Sequence, residues 1–220
     1  MTVLDAWPHD ARTHELACDL HGKVPMKSFE FWFDFGSTAS YLAWTQLPAL
    51  EAATGAKAAF KPMLLGGVFQ ATGNQSPAKI PAKGKYLFGD FERFAKRYGV
   101  PFIRNPHFPI NTLLFMRGAI ALQMKGDGRF KDYCRAVFNA IWVDSLNMND
   151  PATAAQALTR AGFDAQALVA LANDQATKDA LKAATQTAVE RGVFGAPTFF
   201  VGDQMFWGQD RMDFVKAALQ

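Results

Sequence analysis

The sequence of 220 residues holds only two cysteines, Cys18 and Cys134, which stand far apart and form no Cys-x-x-Cys pair. That argues against a disulfide framework and a dithiol redox centre, and it fits a reducing compartment. No apolar run approaches the roughly 20 residues that a membrane helix needs. Residues 1–25 carry His, Asp, Glu and Arg with no unbroken apolar stretch. They do not read as a secretory signal, so the expected location is the cytoplasm. Basic clustering is also missing. The 23 Lys and Arg are scattered among 20 Asp and Glu, for a net charge of +3. No nucleic-acid stripe follows from that, and neither a nucleic acid nor a membrane is an expected partner. A slightly basic surface does suit a small anionic ligand. No fixed-period repeat runs along the chain.

What is present belongs to a folded protein. Half the residues are hydrophobic and 20% are charged, enough for a sizeable core in one domain or a domain with a large insertion. Residues 1–28 read as a polar extension, broken at Gly22 to Pro25. Within it, His14, Cys18 and His21 would share one helical face, but no fourth ligand lies near and no metal site is expected.

From Phe29 to Phe35 the alternation of aromatic residues predicts a strand, ended by Gly36-Ser37-Thr38-Ala39-Ser40. Tyr41 to Ala53 has helical spacing and stops at Gly55, and Lys57 to Met63 reads as a second strand. This β-α-β unit has parallel strands if its crossover is right-handed. A Gly- and Pro-punctuated loop follows to Pro81. Helices are then expected over Lys83–Tyr98, Asn111–Lys125 and Arg129–Val143. Three more follow, with Asp150, Asp164 and Asp174 as N-caps and Pro151 in the first turn. Pro197–Val201 and Gln204–Trp207 flank a Gly202-Asp203 hairpin turn, and Arg211–Leu219 closes the chain as a helix. The order β-α-β, helices, β-β-α is that of an α/β, thioredoxin-like fold. Its sheet domain would comprise residues 29–63 and 193–220, with an all-helical insertion over 64–192.

The motifs sharpen this. Phe33-Asp34-Phe35-Gly36-Ser37 followed by Ser40-Tyr41-Leu42-Ala43 resembles the opening of 2-hydroxychromene-2-carboxylate isomerases. That family is related to kappa-class glutathione transferases and, more distantly, to DsbA-like oxidoreductases. Further matching blocks are Ala71-Thr72-Gly73-Asn74, Ile80-Pro81-Ala82-Lys83 with Tyr86, Asp90 and Arg93, and Phe108 to Thr112. The longest is Gly192 to Asp203, continued by Phe206 to Arg211. The resemblance implies glutathione as cofactor, an aromatic-derived small-molecule substrate from aromatic-compound breakdown, and a homodimer. It assigns Ser37 to the glutathione sulfur. Ala196, before a proline expected to be cis (Pro197), would meet the glutathione main chain. Trp207, Gly208, Gln209 and Asp210 would hold the γ-glutamyl end. Phe69, Asn74, Tyr86 and His107 fall where the second substrate is expected. Two departures stand out: Thr38 replaces the usual proline after the serine, and Phe69 replaces a lysine found in some isomerases.

The chemistry fits a serine in that place. A thiol must lose its proton to become a nucleophile. A hydroxyl at a helix start can donate to the thiolate, and the helix amides and dipole add to the effect. Such a charge-assisted bond contributes roughly 1.5–3 kcal/mol, one or two units of thiol pKa. Serine cannot form a mixed disulfide and has no cysteine partner, which disfavours a disulfide oxidoreductase. Three readings stay open: a glutathione-dependent cis–trans isomerase, a kappa-type transferase, and a thioredoxin-like binding module without turnover. Each residue also has a plainer role. Ser37 can be an ordinary N-cap, Pro197 a strand start and Asp210 the cap of the last helix. Tyr86 and His107 can be a packed aromatic and a satisfied loop histidine. Lys83, Lys85 and Arg93 read as a solvated helix face, and Cys134 as a buried structural thiol.

Overall fold

The computed structural model of the protein describes residues 27–220; the His14, Cys18 and His21 trio lies outside them. Strand β1 (Ser28–Phe33) leads into helix α1 (Thr38–Thr54), and β2 (Lys57–Pro62) returns parallel to β1. Seven helices follow: α2 (Leu65–Thr72), α3 (Pro81–Tyr98), α4 (Leu113–Met124), α5 (Phe130–Trp142), α6 (Pro151–Arg160), α7 (Ala165–Asn173) and α8 (Gln175–Glu190). The hairpin β3 (Thr198–Val201) and β4 (Gln204–Trp207) and helix α9 (Met212–Ala218) complete the chain. The sheet order is β2-β1-β3-β4, with β3 antiparallel to both neighbours. This is a thioredoxin-like α/β fold whose helical segment enters between β2 and β3.

Alternation in β1 decides what each face of the sheet meets. Phe29, Phe31 and Phe33 enter the main core with Phe199 of β3, while Trp32 joins Met63, Val68, Ala188, Val193 and Phe200 on the other side. The main core also contains Phe115 and Met116 of α4 and Val137, Phe138, Ile141 and Trp142 of α5. The helical segment and the sheet therefore share one apolar interior. Asp150 caps α6 through the Thr153 amide at 2.8 Å, with Pro151 at its first position, and Asp164 caps α7 through Ala167 at 3.0 Å. Asp174 stands at the N-cap of α8 without a side-chain bond.

Two expectations change. Residues 64–81 are not a loop: α2 forms there, and a single 3-10 turn follows at Pro77–Lys79. Gly66 and Gly67 read as breakers, but a Cβ on Gly67 would lie 3.1 Å from Thr185 Cγ2. The missing side chain is what lets α2 close on α8. Both ends are also secured, by Leu64 N–H to Thr185 Oγ1 at 3.0 Å and by Gly73 in the left-handed conformation (φ 69°). The last helix is likewise preceded by a 3-10 turn over Gln209–Arg211, so Asp210 lies inside that turn and is not the helix N-cap.

Candidate active site

Ser37 is the N-cap of α1, in extended conformation (φ −91°, ψ 112°), and is 8% exposed. Its Oγ accepts the Ser40 amide at 3.1 Å and donates its proton to the Ala196 carbonyl at 2.9 Å. One residue therefore caps the helix and bridges to the loop before β3. The Thr38 and Ala39 amides that follow have no preceding turn to bond to and carry the positive end of the helix dipole. Ser40, three residues on, is fully buried, and its hydroxyl has no partner among the described residues.

The approach to Ser37 is clamped by the helical segment. The Phe35 carbonyl accepts from Trp142 Nε1 of α5 at 2.8 Å, and its amide meets Met116 Sδ of α4 at 3.5 Å. Asp34 is 2% exposed and accepts three bonds: Gly36 N–H at 2.8 Å and Thr112 Oγ1 at 2.6 Å on one oxygen, and Leu65 N–H at 2.8 Å on the other. Its backbone carbonyl takes the Ser37 amide at 3.0 Å. Burial pushes the Asp34 carboxyl above its ordinary range, against the three bonds that favour its charge. One carboxylate thus ties the serine turn to the starts of α2 and α4. A Cβ on Gly36 would sit 3.3 Å from Thr112 Cγ2 and 3.7 Å from the Ile110 carbonyl, so the chain after His107 passes directly behind this turn.

The opposite wall is the loop before β3. The Ala196–Pro197 bond is cis, as is Phe108–Pro109, which the sequence reading did not expect. The Pro197 carbonyl accepts Gly208 N–H at 3.0 Å, joining this loop to residues 207–210. The Trp207 indole covers Gly195, where a Cβ would come within 2.5 Å of Nε1, and packs at a tilt against Phe194 with ring centroids 5.1 Å apart. Gly208 has φ 104°, in the region that favours glycine. The Gln209 side chain is buried and its carbonyl accepts the Tyr98 hydroxyl at 3.1 Å, while Asp210 pairs with Arg211 at the surface. Burial, and then the nearby Asp210 charge, raise the Tyr98 pKa.

The structure brings Ser37, Ala196 and Pro197 together directly and joins Trp207 to Asp210 to them through Gly195 and Pro197. Asn74 is tethered to the same loop, its Nδ2 donating to the Phe194 carbonyl at 2.8 Å. Phe69 is half-buried on α2, one turn earlier. Tyr86 is 65% exposed on α3 and lines a shallow apolar cleft of about 380 Å³ with Pro77, Ala82, Lys83 and Leu87. His107 is exposed, its amide bonded to Asn105 Oδ1 at 2.8 Å. Among the described residues no cluster of His, Cys, Asp and Glu could hold a metal. No helix among them is long and apolar enough to cross a membrane. Cys134 is fully buried, with its thiol pKa pushed well up by burial.

The profile of the DSBA-like thioredoxin domain matches residues 29–220, nearly the whole described chain. The chain belongs to that family. Within the DSBA-like thioredoxin-domain family it is similar to enzymes of two kinds. One is the 2-hydroxychromene-2-carboxylate isomerase of Sphingobium xenophagum, 33% identical over 195 residues, covering 88% of this chain and 98% of that protein. The other is glutathione S-transferase kappa 1 of Rattus norvegicus, 26% identical over 204 residues, covering 87% and 90%. A solved 2-hydroxychromene-2-carboxylate isomerase superposes with a TM-score of 0.76 at 30% identity, over 87% of this chain and 94% of that one. Two residues of this DSBA-like chain had no role in the sequence reading. Asp34 was visible as an acid at the end of an aromatic segment, just before the glycine-serine turn. Tyr98 gave no signal, because its contact with Gln209 spans 111 residues.

Proposed function

We propose that this protein is a glutathione-dependent cis–trans isomerase of the 2-hydroxychromene-2-carboxylate type. One observation carries the reading: a serine hydroxyl, not a thiol, caps α1 at the site and faces the Ala196 carbonyl at 2.9 Å. The relatives named as isomerases support the reaction class, and the kappa-class relatives support glutathione as the small-molecule thiol. Cys134, the cysteine among the described residues, is shut in the core, which favours a bound thiol as the nucleophile.

The donor set fits a cysteinyl tripeptide. The Ser37 hydroxyl and the first amides of α1 would favour a thiolate, and the Ala196 carbonyl would accept a peptide N–H. Trp207, Gly208, Gln209 and Asp210 supply an aromatic wall, backbone groups and one carboxylate for a charged amino terminus. Held there, glutathione would supply a thiolate for reversible addition to a conjugated carbon, which would allow rotation about the former double bond before the thiolate leaves. Ser37 holds the sulfur negative before addition and after release. Asn74, tethered to the Phe194 carbonyl, and Phe69 of α2 would flank the organic acid, and Tyr86 and His107 would act on its outer parts.

The kappa-class relatives keep a second reading in view, a transferase that releases the adduct. The test is to follow interconversion of 2-hydroxychromene-2-carboxylate and its ring-opened trans isomer while titrating total glutathione. Isomerisation that requires glutathione but does not consume it is the expected result, with at least a tenfold loss of kcat in Ser37→Ala. Stoichiometric consumption would support the transferase. Binding without turnover of either kind would leave a thiol-binding module.

A further inference from the structure

In this structure the single proton of the Ser37 hydroxyl is already engaged: it is donated to the Ala196 carbonyl at 2.9 Å, while a lone pair of the same oxygen accepts the Ser40 amide at 3.1 Å. Ser37 is fixed in this arrangement, being only 8% exposed and set as the helix cap. A thiolate at the site can be stabilised by Ser37 only if the hydroxyl turns away from Ala196. That move strands a partly buried carbonyl, which is costly unless another donor replaces the serine. A hydrogen bond to an anion is stronger than one to a neutral carbonyl, so the exchange is favourable once a replacement arrives.

We infer that Ala196 O is an exchange point that restricts thiolate activation to thiols bearing their own N–H beside the sulfur-carrying carbon. The inference rests on the proposed role of Ser37 and deepens it. The ligand's amide takes over the Ala196 carbonyl, and the freed Ser37 hydroxyl then donates to the sulfur. A cysteinyl peptide meets both requirements within one residue, since its amide nitrogen and its CH2–S group hang from the same carbon. A simple alkanethiol meets only one: it either leaves Ala196 bare or leaves Ser37 occupied. The serine and the carbonyl thus act as a filter for peptide thiols, using groups that a free-standing thiol cannot satisfy.

The exchange has a consequence of opposite sign for two ligands. A glutathione analogue with α-aminobutyrate in place of cysteine keeps the amide and lacks the sulfur. On the wild-type protein its amide must displace or share with Ser37 and gains nothing from the freed hydroxyl. In Ser37→Ala the Ala196 carbonyl is already open.

The test is calorimetric binding of glutathione and of this thiol-free analogue, each to the full-length wild type, Ser37→Ala and Ser37→Gly. Glycine retains most N-cap stability and guards against loss of the helix start. For the analogue, both variants are expected to bind about three- to tenfold tighter than wild type. For glutathione, above the pH at which its bound thiol ionises, both are expected to bind about tenfold or more weakly. Equal or weaker binding of the analogue to the variants overturns the exchange, as does its failure to bind any of the three proteins. If instead removing the hydroxyl leaves glutathione binding unchanged, the proposed role of Ser37 fails with it. Weakened glutathione binding without tighter analogue binding removes the exchange alone.

Discussion

At the residue scale the site depends on short polar groups with few alternatives. Asp34 shows the balance: burial opposes its charge, and three donors from three segments support it. Because burial wins, its pKa in the folded protein is above its ordinary value of 3.8. The native state then keeps the Asp34 proton to a higher pH than the unfolded chain does. Its contribution to stability is full below pH 3.8 and is lost as pH rises through the folded value. Asp34→Asn removes that slope and also sets an amide N–H₂ against a donor. Urea unfolding over an acid-to-neutral pH series is expected to show a fall in stability for the wild type that the variant lacks. Identical pH slopes would mean that Asp34 titrates as it does in the unfolded chain.

At the element scale, the position of α1 depends on helices distant in sequence. Trp142 of α5 and Met116 of α4 hold Phe35 from both sides, so helix–helix spacing bears on the serine turn. Gly118 sets the spacing of α4 and α5. A Cβ there would overlap the Tyr133 hydroxyl, which donates to the Phe115 carbonyl at 3.0 Å. Gly118→Ala is expected to cost about 1–3 kcal/mol as an overpacked contact. Chemical denaturation checks this, and adding Tyr133→Phe should recover part of the loss by removing the overlapping oxygen. Full stability in Gly118→Ala would show that the two helices part without penalty. The element order was legible because its signals are local: alternating aromatics in β1, Asp-Pro at α6, Gly-Asp in the final hairpin. The strand ends moved by only a residue or two. Helix α2 was not legible, because Gly66 and Gly67 carry a local breaker signal and the reason they are tolerated, Thr185, lies on α8. The same limit applies to the site. Ser37, Ala196 and the 207–210 turn could be read from motifs, whereas the Asp34 bonds to Leu65 and Thr112 join segments with no shared pattern.

Across the whole molecule, one interior supports both the sheet and the inserted helices. Phe138 of α5 packs on Phe33 and Phe35 beside β1 and on Tyr41 and Trp44 of α1, with ring centroids 4.9–6.0 Å apart. Phe138→Ala should cost about 3–5 kcal/mol. It should lower the far-ultraviolet circular dichroism and tryptophan fluorescence midpoints together, since a shared core unfolds as a unit. Separate midpoints would indicate a helical segment that melts independently. A core continuous up to Phe35 also explains how a serine hydroxyl and a loop carbonyl can be held 2.9 Å apart from positions 159 residues apart in sequence.

The central claim is that Ser37 stabilises a bound thiolate. The most direct measurement is the ultraviolet thiolate absorbance of bound glutathione across a pH series, for the wild type and Ser37→Ala. The account predicts a thiol pKa about one to two units below that of free glutathione in the wild type, moved back toward the free value in the variant. The same pKa in both proteins would contradict it and leave Ser37 as a helix cap alone.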